Sequence, residues 1–369
     1  MSDARDKEAL DGIRRQIDAL DEQLQLLISE RARLALLVGE TKYPEPVGLS
    51  TAPRDYYRPE REAEILRKAL ARNRGPLKDE EIVRLFREIM SACLAQQEPL
   101  KVAFLGPEGT FSQAAVLKQF GHSVRTLAVP SIEEVFHDVE AGIADFGVVP
   151  VENSTEGTVS NTLDMLVTTP LQISGEVELR IRQHLLGRME SLNDVARVYS
   201  HQQSLAQCRA WLEQRLPGIE QVAVASNAEA ARLAATEEGA AAIAGGTAAE
   251  VYGLKQLMAN IEDRPDNTTR FVVIGREAPG PSGRDKTSLL LSSRHQAGAL
   301  QELLRPLSEH KVSMTRIESR PSRRGKWDYV FIVDVEGHRE DANVVAALRE
   351  LETAAAWCRV LGSYPVAIL

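Results

Sequence analysis

The stretch IRRQIDALDEQLQLLISERARLALLVGETK, running from Ile13 to Lys42, decides how the chain is read. Its apolar stripe is Ile13, Ile17, Leu20, Leu24 and Leu27, then Arg31, then Leu34 and Val38, then Lys42, spaced by fours and threes throughout. That alternation is the seam of a helix packed against other helices, so Arg31 and Lys42 stand where core leucines belong and are expected to point inward. An unpaired charge buried there is very costly. Two readings remain open. The long side chains snorkel out of the seam or pair with an acid such as Glu62 on a neighbouring helix; or they close around a small, multiply charged acidic ligand. Two cations on one stripe favour the ligand.

From about Arg5 to Gln97 the pattern stays helical, broken by the Pro-, Gly- and Ser-rich loop Tyr43 to Pro59 and again at Asn73 to Pro76. One very long helix and two shorter ones result. The long helix leaves an apolar face that one chain cannot cover, so this segment is expected to dimerise. The second helix starts at Pro59, a favoured first-turn residue, and sets Glu62 on the face of Ile65, Leu66 and Ala69. The stripe of the third is Ile82, Phe86, Ile89, Cys93 and Gln97. A carboxylate and an amide therefore also face the interior.

A chain of 369 residues is too long for one compact core and divides into two or three domains. A net charge of -9 offers no basic surplus for a nucleic-acid backbone or an anionic membrane. Cys93, Cys208 and Cys358 are far apart without CxxC pairing, and the seven histidines make no HxxxH or HExxH spacing, so no metal site is expected. The polar start, Met1 to Leu10, and the lack of a membrane-length apolar run predict a cytoplasmic protein.

At Leu100 the texture changes to strand, glycine turn and helix, and short apolar strands alternate with helices through Gly275. The last part reads strand, helix, two strands, helix, strand (Thr287 to Ser293, Gly298 to Glu309, Val312 to Ser319, Trp327 to Val335, Asp341 to Thr353, Cys358 to Ser363). This is the ferredoxin-like split βαβ plan. The stretch Ala278-Pro-Gly-Pro-Ser-Gly283 reads as a linker. The expected domains are 1–99, all-helical; 100–276, α/β; and 284–369, α+β.

Three polar clusters follow strands, where open α/β sheets place ligands. In Gly106-Pro-Glu-Gly-Thr-Phe-Ser112, backbone N–H groups with the Thr110 and Ser112 hydroxyls could hold a carboxylate. The cluster lacks the endings of a P-loop or a dinucleotide fingerprint. Pro150-Val-Glu-Asn-Ser-Thr-Glu-Gly-Thr158 is a strand end followed by hydrogen-bonding groups, which either bind a ligand or cap the next helix. In Asp266-Asn-Thr-Thr-Arg-Phe271, Arg270 either makes a surface salt bridge or clamps an acid.

The conjunction of these motifs resembles the bifunctional chorismate mutase–prephenate dehydratase family over essentially the whole chain. Val151-Glu-Asn-Ser-Thr-Glu-Gly157, Ser200-His201 with Gln203, and Thr269-Arg-Phe271 resemble the dehydratase signatures. Gly298-Ala-Leu300 and Glu318-Ser-Arg-Pro321 resemble the ACT phenylalanine-binding motifs. The resemblance implies a helical mutase domain, a two-lobed dehydratase like periplasmic binding proteins, and a regulatory ACT domain, with chorismate and prephenate as substrates and phenylalanine as effector. It implies no cofactor and an even-numbered homo-oligomer.

Residue by residue, the resemblance assigns Arg14, Arg31, Lys42, Arg58, Arg61, Glu62, Cys93 and Gln97 to the mutase pocket. Arg14 and Arg31 clamp carboxylates, Arg14 from the partner subunit. Lys42 and Gln97 donate to the ether oxygen, Glu62 orients the ring hydroxyl, and Arg61 stands either in the pocket or in a structural ion pair. Cys93 and Arg58 depart from a relative's serine and aspartate. For the dehydratase the implied residues are Thr269 for dehydration, Arg270 on a substrate carboxylate, and Thr110, Ser112, Glu152, Asn153, Ser154, Thr158, His201 and Gln203 lining the pocket. His201 is left between general acid and structural residue. Gly298, Ala299, Leu300, Glu318, Ser319, Arg320 and Pro321 are the implied effector contacts. A binding sensor without catalysis, and a dehydratase preferring arogenate, are the competing readings.

Overall fold

A computed structural model of the chain describes residues 2–43, 56–293, 296–321 and 329–369. Most of the expected Tyr43 to Pro59 loop and the start of the strand expected at Trp327 lie outside these residues.

The helical unit is α1 (Ser2–Lys42), α2 (Pro59–Arg72) and α3 (Asp79–Ala95). Proline at the first position and Glu60 and Glu62 in the first turn start α2, where exposed N–H groups favour both. Only the C-terminal part of α1 packs on α3. Toward its start Ile13, Ile17, Leu20, Leu24 and Leu27 are all more than half exposed. The expected burial of the whole stripe is thus not met within one chain.

Next come β1 (Lys101–Leu105), α4 (Phe111–Phe120), β2 (Arg125–Val129), α5 (Ile132–Glu140), β3 (Phe146–Asn153), β4 (Gly157–Thr158), α6 (Ser160–Thr168) and β5 (Gln172–Arg180). The chain then builds a second lobe from β6 (His184–Gly187), β7 (Arg197–His201), α7 (Gln202–Gln207), α8 (Arg209–Arg215), β8 (Glu220–Val224), α9 (Asn227–Thr236), β9 (Ala240–Ala244), α10 (Gly246–Tyr252) and β10 (Lys255–Met258). It returns to the first lobe as β11 (Thr268–Gly275). Lobe 1 has strand order β2-β1-β3-β11-β5 and lobe 2 has β10-β6-β9-β7-β8. β11 runs antiparallel to β3, with Thr269 opposite Asn153 and Arg270 opposite Glu152. This register sets two side-chain pairs on opposite faces of one sheet.

The C-terminal unit is β12 (Asp285–Ser292), α11 (Ala299–Glu309), β13 (Met314–Pro321), β14 (Tyr329–Glu336), α12 (Ala342–Ala354) and β15 (Trp357–Pro365), in sheet order β13-β14-β12-β15. One face packs on its own helices through Leu289, Leu291, Val333 and Val335. The other shares a core with lobe 1: Leu290, Val330, Ile332, Leu361 and Tyr364 meet Leu166, Ile173 and Val272. Gly362 permits the approach, since a Cβ there would sit 2.1 Å from the Ile173 carbonyl oxygen. The stretch expected as a linker is instead fastened. Asp285 accepts from the Ser282 and Gly283 amides, and Arg67 of α2 donates to the Ser282 carbonyl at 2.6 Å.

Candidate active sites

In the helical unit, Arg31, Lys42, Arg58, Arg61, Glu62, Cys93 and Gln97 line one cavity of about 280 Å3. The sequence reading left open a Glu62 partner for the cations. Glu62 is taken instead by Arg87 of α3, at 3.4 Å, with both side chains largely buried. Among the described residues Arg31 and Lys42 have no ion-pair partner. Arg31 is half-buried, whereas Lys42 is exposed in the single chain, short of the inward burial expected for it. Arg61 lines the cavity and also pairs with Glu64 on the helix exterior.

Gln97 lies two residues past the end of α3 rather than on its stripe. Its Nε2 donates to the Ala35 carbonyl at 2.7 Å, leaving a second N–H. Gly39 makes room for it, since a Cβ at that position would sit 2.4 Å from Gln97 Oε1. Burial raises the Glu62 pKa, and Arg87 and a hydrogen bond with Tyr57 oppose the rise. Tyr57, Gly39 and Arg87 were missed in the sequence; a glycine inside a helical seam was the available signal. Arg14 pairs with Asp11 on the exposed start of α1. At about 1.5 Å per residue it stands roughly 25 Å from Arg31 along the same helix. It cannot reach its own chain's cavity.

Between the lobes, Thr269 is buried and its Oγ1 accepts from Asn153 Nδ2 at 2.8 Å. Asn153 also donates to Asn267, and its Oδ1 accepts from the Thr155 and Glu156 amides. With an amide already donating to its oxygen, the Thr269 hydroxyl is left to donate its own hydrogen. Gln203 of lobe 2 reaches Glu156 of lobe 1 at 2.6 Å, bridging the lobes. His201 caps α7, and its backbone N–H is held by Asn227. Thr110 caps α4, with buried Ser112 in that helix's first turn. Ser154 ties the strand end to the Thr268 amide.

Arg270 requires a correction. Expected on a substrate carboxylate, it faces away from the cleft and binds Glu176 at 2.9 Å, Asp334 at 2.7 Å and the Tyr364 hydroxyl at 3.1 Å. Adjacent strand residues point to opposite faces, so Thr269 and Arg270 cannot serve one ligand. Glu152 and Thr158 likewise turn to the C-terminal unit, to Arg316 at 2.9 Å and Glu318 at 3.1 Å. Arg320 bonds Asp164 at 2.6 Å. Glu318 and Arg320, expected as effector contacts, therefore face lobe 1. Ser319 lies on the other face of β13, opposite Phe331 on the side that packs on the helices. Gly298, with φ of +80°, precedes Ala299 and Leu300 at the start of α11. Pro321 ends β13, exposed.

Family models match in the same order: chorismate mutase type II over 13–98, prephenate dehydratase over 102–279, and the ACT domain over 287–353. The bifunctional chorismate mutase/prephenate dehydratase of Pseudomonas aeruginosa is 52% identical, covering 99% of this chain and 100% of that protein. That of Neisseria gonorrhoeae is 51% identical, covering 96% and 97%. A solved prephenate dehydratase from Arthrobacter aurescens, described as a complex with L-Phe, superposes with a TM-score of 0.66 at 35% identity, covering 72% of this chain and 90% of that one. Three matched units in order, with end-to-end identity to such relatives, place this chain in the bifunctional chorismate mutase/prephenate dehydratase family.

Proposed function

We propose that the helical cavity rearranges chorismate to prephenate and that the interlobe cleft converts prephenate to phenylpyruvate. The observation that carries the first step is the convergence of Arg31, Lys42, Arg58, Arg61, Glu62 and Gln97 on one cavity, with Arg31 and Lys42 free of ion pairs among the described residues. A pericyclic shift needs no nucleophile, only a restrained dianion and donors aimed at the oxygen that gains charge. Arg31 clamps a carboxylate, Lys42 and the spare N–H of Gln97 face the ether oxygen, and Glu62 accepts from the ring hydroxyl. Arg14 of a second subunit completes the clamp. Cys93 contributes cavity wall.

In the cleft, Thr269 donates a hydrogen bond to the departing hydroxide while the ring carboxylate leaves as carbon dioxide. The ring becomes aromatic, and the hydroxide takes a proton relayed from solvent through the Thr269 hydroxyl, so that it leaves as water and Thr269 is regenerated. Asn153 fixes the Thr269 rotamer. Phenylalanine binds the C-terminal unit at Gly298 to Leu300 and the Ser319 face of β13, and lowers dehydratase turnover. We assign the domains to 1–99, 100–276 and 284–369, and the protein to the cytoplasm, where Cys93, Cys208 and Cys358 stay free thiols.

The test is to follow chorismate, prephenate and phenylpyruvate in one reaction with paired variants. Arg31→Ala lowers mutase kcat/KM about 100-fold or more and leaves dehydration of supplied prephenate intact. Thr269→Val does the converse. Equal loss of both activities in either variant refutes separate sites.

A further inference from the structure

The Arg270 correction exposes a pattern spanning two sheets. In lobe 1 the rung Asn153/Thr269 faces the cleft, and the next rung, Glu152/Arg270, faces the C-terminal unit. In the C-terminal sheet Arg316 lies opposite Asp334. The two rungs stack across the domain boundary with alternating charge: Glu152 on Arg316 at 2.9 Å, Arg270 on Asp334 at 2.7 Å. The register of β11 slips at Arg270/Phe271 and that of β13 between Met314 and Arg316, so both sheets are irregular where they meet. Such bulges re-aim side chains.

Within this quartet Arg316 has a second carboxylate in reach. Its Nε is held by Glu152, while its buried Nη2 has no hydrogen-bond partner among the described residues and stands 3.8 Å from Glu318. Glu318 meanwhile accepts from Thr158 of the cleft-bearing hairpin. Arg316 is thus shared between two carboxylates, one on each domain, through different nitrogens, and a shift of that balance toward either one is the kind of change that coupling between sites requires.

On the reading that phenylalanine binds the C-terminal unit, we infer that Arg316 is a positioning residue for the dehydratase and the switch that couples the two sites. Bound to Glu152, it holds the strand end that carries Asn153, and Asn153 holds Thr269. Phenylalanine on the opposite face of β13 draws Arg316 to Glu318, freeing Glu152 and loosening the Asn153–Thr269 contact. The route from regulatory strand to reacting hydroxyl is three side chains long.

The experiment compares the full-length chain with its Arg316→Gln and Arg316→Lys variants, measuring phenylalanine binding by calorimetry and dehydratase turnover with and without phenylalanine. The melting midpoint of lobe 1 and the C-terminal unit in the same samples reports folding. In Arg316→Gln the factor by which saturating phenylalanine lowers turnover shrinks about fivefold or more, while phenylalanine still binds as tightly as before or tighter. Arg316→Lys, which keeps the charge, recovers part of the response. A full response in Arg316→Gln overturns the switch. So does loss of phenylalanine binding in that variant, since Arg316 would then belong to the effector site itself. Failure of the unaltered chain to bind phenylalanine refutes the effector reading, and the switch falls with it.

Discussion

Glu62 shows at the residue scale how one partner changes what a side chain can do. Burial pushes its pKa up, and the Arg87 guanidinium beside it works in the opposite direction. To accept from a ring hydroxyl the carboxylate must be ionised, so mutase activity falls as pH drops through the Glu62 pKa. Arg87→Met removes the cation, raises that pKa further, and moves the acid limb of the mutase kcat/KM profile to higher pH. Glu62→Gln abolishes the limb. A profile unmoved in Arg87→Met separates Arg87 from the site. Arg87 was hidden because it lies off the stripe that the apolar spacing of α3 picks out. The expectation that Thr269 and Arg270 share one ligand failed differently. Their opposite faces follow from strand periodicity alone, yet reading Thr269-Arg-Phe271 as one motif obscured it.

At the scale of elements, the seam of α1 gave its course, and the described strands of the C-terminal unit were found to within about two residues from their apolar runs. What covers an element was less legible. The Ala278 to Gly283 stretch reads as flexible by composition, but Arg67, which holds it, lies 215 residues away. For α1 the exposed half-stripe, Ile13 through Leu27, is left without cover in one chain, and the proposed role of Arg14, too far from its own cavity to reach it, calls for a second copy of the chain as the partner. Leu24→Glu places a charge on this seam. It should shift the chain from dimer to monomer in sedimentation equilibrium and cut mutase turnover by at least about tenfold, with dehydration of supplied prephenate retained. A Leu24→Glu dimer with full mutase activity would show that the α1 stripe is not the contact.

For the molecule as a whole, lobe 1 and the C-terminal unit behave as one body because they share a hydrophobic core and, inside it, a buried ionic cluster. Glu176 is fully buried between Arg270 and Lys286, and Asp334 is taken by Arg270 and Ser288. The price of desolvating these charges is met only while every partner is present. Arg270→Met leaves Asp334 with its Ser288 hydrogen bond but no cation and halves the pairing of Glu176, a loss of roughly 3–5 kcal/mol for a broken buried pair. For units of this size that lowers the melting midpoint by about 10 °C. Because both sides of the boundary lose partners together, the calorimetric peak of lobe 1 and the C-terminal unit moves down as a single transition. The α1–α3 unit, which contributes nothing to the cluster's ion pairs, should keep its own midpoint and its mutase turnover below that transition. A C-terminal unit that melts separately, with lobe 1 unshifted, would show that the shared core does not join them.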